Sequence, residues 1–196
     1  MYIGLFADGD TTKKVTSLCL EALELAHTAF PDDAQIAKDI TKIKEQSKRD
    51  WALTPDPHIT TLYLGHKAPA TPEKQAIFTS FPAGAKFEFD VLAVAYLPGQ
   101  ILTGVTKIDR SQIGCDNQYD HMTLMTGTLT AKYSNDLLEQ IFTSADYVQE
   151  RDTSFAGVAK GRTVRVEVNV QKKKQTAYLV TPLASLHVHA AAVKKY

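Results

Sequence analysis

Strand-type segments outnumber helical ones in this sequence, and most connections between them read as hairpins. Those two observations predict an α+β fold built on antiparallel sheet. A third is size: 196 residues, 44% of them hydrophobic, suffice for one sizeable core or for two small lobes sharing a cleft. No linker, low-complexity stretch or solenoid-type repeat interrupts the chain, so residues 1–196 are expected to form a single domain.

The elements follow in order. Tyr2 to Ala7 is a short apolar strand, ended by the turn signal Asp8-Gly9-Asp10. Thr11 or Thr12 offers an N-cap, and Val15, Leu18, Cys19, Ala22, Leu23, Leu25, Ala26 and Ala29 recur near helical spacing until Pro31. Asp32 or Asp33 can cap a second, charged helix with Ile36, Ile40 and Ile43 on one face, ending near Lys48 to Trp51. Thr54-Pro55-Asp56-Pro57 is a stiff, extended entry, since each proline disfavours helix and biases its predecessor to extended geometry. His58 to Leu64 then reads as a strand closed by Gly65. A loop at Pro69 to Pro72 leads to a short helix, Glu73 to Thr79. Phe87 to Leu97 and Ile101 to Ile108 form a hairpin across Pro98-Gly99-Gln100, and Ser111 to Asn117 is a loop. Tyr119 to Thr126 is a strand, and Ser134 caps a helix through Phe142. Val164 to Val170 and Thr176 to Thr181 make a hairpin around Lys172-Lys173-Lys174. Leu186 to Val193 fits either a strand or a short helix.

Lys plus Arg number 22 and Asp plus Glu number 22. Zero net charge argues against broad, non-specific nucleic-acid binding, though not against a local pocket for one phosphate. Cys19 and Cys115 have neither CxxC nor metal-ligand spacing, so inert thiols are expected. The apolar N-terminus lacks a basic region and a long apolar stretch, and no run approaches the roughly 20 residues of a membrane span. A cytoplasmic compartment, no membrane, no stable protein partner and a monomer are the expectations.

One short pattern recurs: His58-Ile59-Thr60-Thr61-Leu62 and His121-Met122-Thr123-Leu124, each within a strand segment. Residues i and i+2 of a strand share a face and lie about 7 Å apart. His58 and Thr60 therefore project together, as do His121 and Thr123. Two such strands facing one cleft would surround a tetrahedral oxyanion with two imidazoles and two hydroxyls. That set suits phosphodiester cleavage. One neutral imidazole takes a proton from the attacking water and a protonated one gives a proton to the leaving oxygen. The threonine hydroxyls hold the non-bridging oxygens, and no metal or cofactor is called for.

His58-Ile-Thr-Thr-Leu-Tyr-Leu-Gly65, entered from Pro57, resembles the first signature of the two-histidine (2H) phosphoesterase superfamily, and His121-Met-Thr-Leu resembles its second. The resemblance implies one bilobal α+β domain, with two antiparallel sheets facing a central cleft and helices outside. It implies that His58 and His121 are catalytic and that Thr60 and Thr123 bind phosphate. It implies a hydrolase acting on 2′,3′-cyclic phosphates or 2′–5′ linkages in RNA or small nucleotides. Thr61 departs from the pattern by standing where an apolar residue is usual. The helix from Asp32 to Arg49 is an extra segment, and the separation of the histidines is on the short side.

Other residues are weighed by parity. Tyr119 shares the parity of His121 and should point towards the cleft, where it could stack on a base, with a plain packing role as an equal alternative; Tyr63 has the opposite parity to His58 and is expected in the core. Trp51 is expected to pack at a helix end. His66 follows the first motif and could touch substrate. His187-Val188-His189 could be a metal pair, but no third ligand stands at a telling spacing, so a plain surface role is preferred. Lys107, Arg110, Lys160 and Arg162 are candidate phosphate contacts. The alternative to an enzyme is a nucleotide- or RNA-binding module of the same fold without turnover.

Overall fold

The computed structural model describes residues 2–45, 50–63, 71–145, 147 and 159–195. Its elements are β1 (Tyr2–Ala7), α1 (Gly9–Ala29), α2 (Ala34–Lys44), β2 (Ala52–Leu53), β3 (His58–Tyr63), α3 (Pro72–Ser80), β4 (Lys86–Leu97), β5 (Ile101–Thr106), β6 (His121–Thr126), α4 (Tyr133–Thr143), β7 (Thr163–Val170), β8 (Lys173–Val180) and β9 (Leu186–Lys195). The final segment, ambiguous in sequence, is a strand.

Among the described residues every strand pair is antiparallel, but the expected two sheets are not what the hydrogen bonds give. The nine strands of the described residues belong to one sheet, and its pairing returns on itself through β3, β1, β9, β4, β5 and β6 in a barrel-like ring. The ring depends on β4. Its first half pairs with β9, Lys86 to Val91. A register shift between Val91 and Ala93 bends the strand, and its second half pairs with β5 on one edge and β8 on the other. β5 is buried along its whole length, as a strand covered on both faces must be.

Two apolar clusters lie on opposite faces of this sheet. Val15, Leu18, Leu23 and Ile36 of α1 and α2 pack on Ile3, Leu5, Ile59, Met122 and Val188. Leu137, Leu138 and Ile141 of α4 pack on Ala95, Ile101, Val105, Val166 and Leu179. The extra helix α2 is fastened to the sheet by two carboxylates. Asp33 caps the helix at Gln35 N and accepts the hydroxyl of Tyr178 at 2.6 Å. Buried Asp39 accepts from Tyr96 Oη and Gly99 N, both at 2.6 Å, and from Gln35 Nε2 at 2.9 Å.

Several boundaries differ from the sequence reading. Asp8, not Thr11 or Thr12, caps α1, through Thr11 N at 2.7 Å. α2 ends at Lys44, short of Lys48; residues 46–49 lie outside the described set, as do Gly65, His66 and Pro69. Trp51 is buried and tilts against Tyr96. The β7–β8 turn falls on Gln171 and Lys172, both at positive φ, so Lys173 and Lys174 are strand residues. Both thiols are held up by burial, Cys115 to about 11. Among the described residues no helix is long and apolar enough to cross a membrane.

Candidate active site

β3 and β6 touch at one bridge, Ile59 opposite Met122, and both of those side chains are buried. One step either side of this antiparallel pair sets His58 beside Thr123 and Thr60 beside His121. In a regular ladder the two histidines are then diagonal neighbours, with Cα atoms about 7–8 Å apart and side chains on the same face. All four side chains line one cavity of about 380 Å³, together with Tyr2, Thr54, Tyr63, Asn117, Ala131, Lys132 and Asn135. That volume lies at the lower end of small-molecule sites, roughly 300–1,000 Å³.

The histidines are held alike. His58 Nδ1 is 2.7 Å from the carbonyl oxygen of Asp56, and His121 Nδ1 is 2.9 Å from that of Tyr119. A carbonyl can only accept, so Nδ1 carries the proton in each ring and Nε2 is left for a ligand. The stiff Pro55-Asp56-Pro57 entry presents the first of these carbonyls. His58 also contacts two rings of β1 that touch each other: Phe6 stacks at 4.5 Å and Tyr2 at 5.3 Å between centroids, and the two aromatics stand 6.1 Å apart.

Thr123 is positioned by a buried hydroxyl chain. Its Oγ1 is 2.9 Å from Ser134 Oγ, which is 2.9 Å from Thr103 Oγ1. Ser134 is thus not the cap of α4; it sits in the first turn, with its hydroxyl turned to the sheet. If Thr103 donates to Ser134 and Ser134 to Thr123, every buried acceptor is matched and the Thr123 proton is free for the cavity. Ser134→Ala is expected to lower turnover about tenfold, within the range of lost supporting hydrogen bonds, with the fall in kcat rather than KM. Steady-state kinetics beside a melting curve separate this from simple destabilisation.

Tyr63 corrects the parity argument. The β1–β3 register slips between Ile3 and Gly4, so that Ile3 faces Leu62 while Gly4 faces Thr60. Thr61 is the extra residue of this bulge; it is buried, and its hydroxyl donates to the carbonyl of Ile3 at 3.2 Å. Parity inverts beyond it, and Tyr63 emerges 62% exposed at the cavity instead of in the core. The polar residue at position 61 thus has a structural use. Gly4 permits the close approach, because a Cβ there would run into the carbonyl of Ile59.

Tyr119 does not line this cavity. Strand geometry begins only at His121, and the Tyr119 ring packs on Phe142 at 5.0 Å. Nor do the basic candidates line it. Arg110 pairs with Asp120 at 2.6 Å and donates to the carbonyl of Asn117 at 2.7 Å, bracing the loop that precedes His121. That loop docks on β3 through the Asn117 side chain, which donates to the carbonyl of Thr60. Lys132, at the N-terminal end of α4, is the cation among the lining residues. Thr54 adds a buried hydroxyl without a partner among the described residues. No periodicity or motif marks Lys132, Thr54 or Asn117.

Burial lowers the pKa of both imidazoles, against the raising effect of their carbonyl hydrogen bonds; His121 is lowered further by His58. Two consequences follow. The bell-shaped profile of kcat/KM, which reports the free enzyme, should peak on the acid side of 6.5, the ordinary histidine value. Stability runs the other way. Between the depressed native values and 6.5 the unfolded chain binds more protons, so the stabilising effect of these neutral rings is full above 6.5 and is lost as pH falls. Denaturant titrations from pH 7 down to 5 should show that loss, and His121→Ala should reduce it.

No known protein family and no curated protein matches the sequence. Among solved structures, one described as a fungal RNA kinase aligns with 97% of this chain and 45% of that chain, at 13% identity and a TM-score of 0.52. That likeness is one of fold, and this chain spans less than half the length of that protein.

Proposed function

We propose that the chain is a phosphodiesterase of the two-histidine type, opening 2′,3′-cyclic phosphates or cutting 2′–5′ linkages of RNA or small nucleotides. The observation that carries this reading is the matched pair of imidazoles, each with Nδ1 fixed on a carbonyl and so with Nε2 left for a ligand, lining one cavity with Thr60 and Thr123. Fold similarity to a fungal RNA kinase is consistent with RNA phosphate chemistry.

In this mechanism the phosphate sits between the histidines. Its non-bridging oxygens accept from Thr60 and Thr123, with Lys132 supplying positive charge. The neutral imidazole takes a proton through Nε2 as the water oxygen bonds to phosphorus. The P–O bond to the 2′ or 3′ oxygen breaks, and the protonated imidazole gives its Nε2 proton to that oxygen. A phosphomonoester and a vicinal hydroxyl result. Both rings favour the neutral form in the free protein, so an arriving anionic phosphate charges one of them.

The test is a panel of 2′,3′-cyclic nucleotides, cyclic-phosphate-ended RNA and 2′–5′ oligoadenylate, with product regiochemistry read by NMR. Turnover of at least one class, unaffected by chelator, is expected. Saturable nucleotide binding with no product on any of them would assign the chain to the binding-module alternative.

A further inference from the structure

A second cluster of chemistry-bearing side chains stands apart from the cavity. On β9, His187 and His189 alternate with buried Leu186, Val188 and Ala190, so both imidazoles face solvent. The antiparallel register sets Glu88 of β4 directly opposite His189, and Asp90 opposite His187. The four side chains therefore form a square on one sheet face. The third ligand that the sequence did not reveal comes from a strand roughly a hundred residues away, brought alongside by pairing.

The distances are those of a coordination shell rather than of scattered surface charge. Glu88 Oε1 lies 3.0 Å from His189 Nδ1, and Glu88 Oε2 lies 3.6 Å from His187 Nε2. One ligand atom from each of Glu88, His187 and His189 falls within a set no wider than 4.8 Å. Zinc ligands at about 2.0–2.2 Å in tetrahedral array stand roughly 3.3 Å from one another, so small side-chain rotations would bring a set this compact onto one ion. The opposite nitrogen of His187, Nδ1, is 2.9 Å from Asp90 Oδ1. A carboxylate that holds one ring nitrogen while the other faces the ion is the usual support of a zinc-bound imidazole, fixing its tautomer and raising its basicity. The rings of His187 and His189 meet edge to face at 4.9 Å, which lets their nitrogens converge without stacking.

We propose that Glu88, His187 and His189 bind one divalent transition-metal ion of the zinc class, with Asp90 orienting His187 and water completing the shell. The ion takes the place of the direct contacts that these imidazoles make with Glu88. The site is separate from catalysis. β9 is two strands from β3, about 9–10 Å across the sheet, and Ala191, not His189, lines up with Phe6 and His58. A bound ion would clamp β4 to β9 at the seam where the barrel-like ring turns.

The experiment is zinc chloride titration of the full chain by calorimetry, with metal content measured after equilibrium dialysis. One equivalent is expected for wild type and for a His58→Ala/His121→Ala double variant. The His187→Ala/His189→Ala pair should lose at least tenfold in affinity, and Asp90→Asn, which keeps all three ligands, about 10–100-fold. Cobalt(II) in place of zinc should give the visible bands of a tetrahedral site. These residues are exposed, and circular dichroism checks that each variant folds. Absence of saturable binding to wild type, binding unchanged in the His187/His189 pair, or binding abolished only by loss of His58 and His121 would each overturn the proposal. Because the readout is binding, failure here is distinct from failure of the phosphodiesterase reading.

Discussion

Replacing either His58 or His121 with alanine is expected to cut hydrolysis of a 2′,3′-cyclic phosphate by about 10²–10⁴-fold while leaving the domain folded. The magnitude is that of one proton transfer in the transition state, about 3–5 kcal/mol. The effects should not add. With one imidazole gone the proton path is already broken, and the double variant should be little worse than the poorer single one. His58 is half-buried and His121 nearly buried, yet neither fills an apolar core, so truncation should leave the melting temperature close to wild type. Measurement of kcat/KM together with thermal denaturation decides the matter, and full activity in either folded variant would sink the mechanism.

Asp39→Ala should be among the most destabilising single changes. Asp39 is 1% exposed and receives Tyr96 Oη, Gly99 N and Gln35 Nε2. Alanine strands the Tyr96 hydroxyl, itself fully buried, and a backbone N–H at the β4–β5 turn. At roughly 1–3 kcal/mol for each of the two unsatisfied donors, the loss is about 2–6 kcal/mol. For a chain of this size that corresponds to a fall in Tm of roughly 4–24 °C. Burial and the Asp39 hydrogen bond hold the Tyr96 phenol far above its ordinary pKa, so it stays a donor at any working pH. Tyr96→Phe in the Asp39→Ala background removes one stranded donor and should recover part of the loss. Unchanged melting of Asp39→Ala would show that α2 is held by its apolar face and the Asp33–Tyr178 bond without Asp39.

Local pattern made the strands, the helices and the pairing of each histidine with its threonine legible in the sequence. Period-two parity put His58 with Thr60 and His121 with Thr123, and those pairs do share a cavity. The same parity failed at Tyr63, since one bulge residue, Thr61, inverts every side chain beyond it. It failed at Tyr119 because the chain enters β6 only at His121. Ser134 looked like a cap by composition, but tertiary contact with Thr103 and Thr123 claimed its hydroxyl. Long-range pairing was beyond local pattern altogether. Closure of the sheet into a ring, and the arrival of Glu88 beside His189, depend on register between distant strands.

The bridge between Ile59 and Met122 has one more consequence. Two antiparallel strands with a His-x-Thr on each, centred on one pair, are related by a local twofold axis through that pair. Half a turn exchanges His58 with His121 and Thr60 with Thr123, and even the Nδ1–carbonyl anchors, each two residues back, map onto one another. A bare phosphate at the axis meets the same groups in either orientation. In the proposed reaction, the direction in which a substrate lies, and so which oxygen departs, would be decided by walls that break the twofold: Tyr2 of β1 and Tyr63 at the end of β3, Lys132 and Asn135 at the head of α4. Chemistry and regiochemistry would then reside in different parts of the same cavity and could change independently.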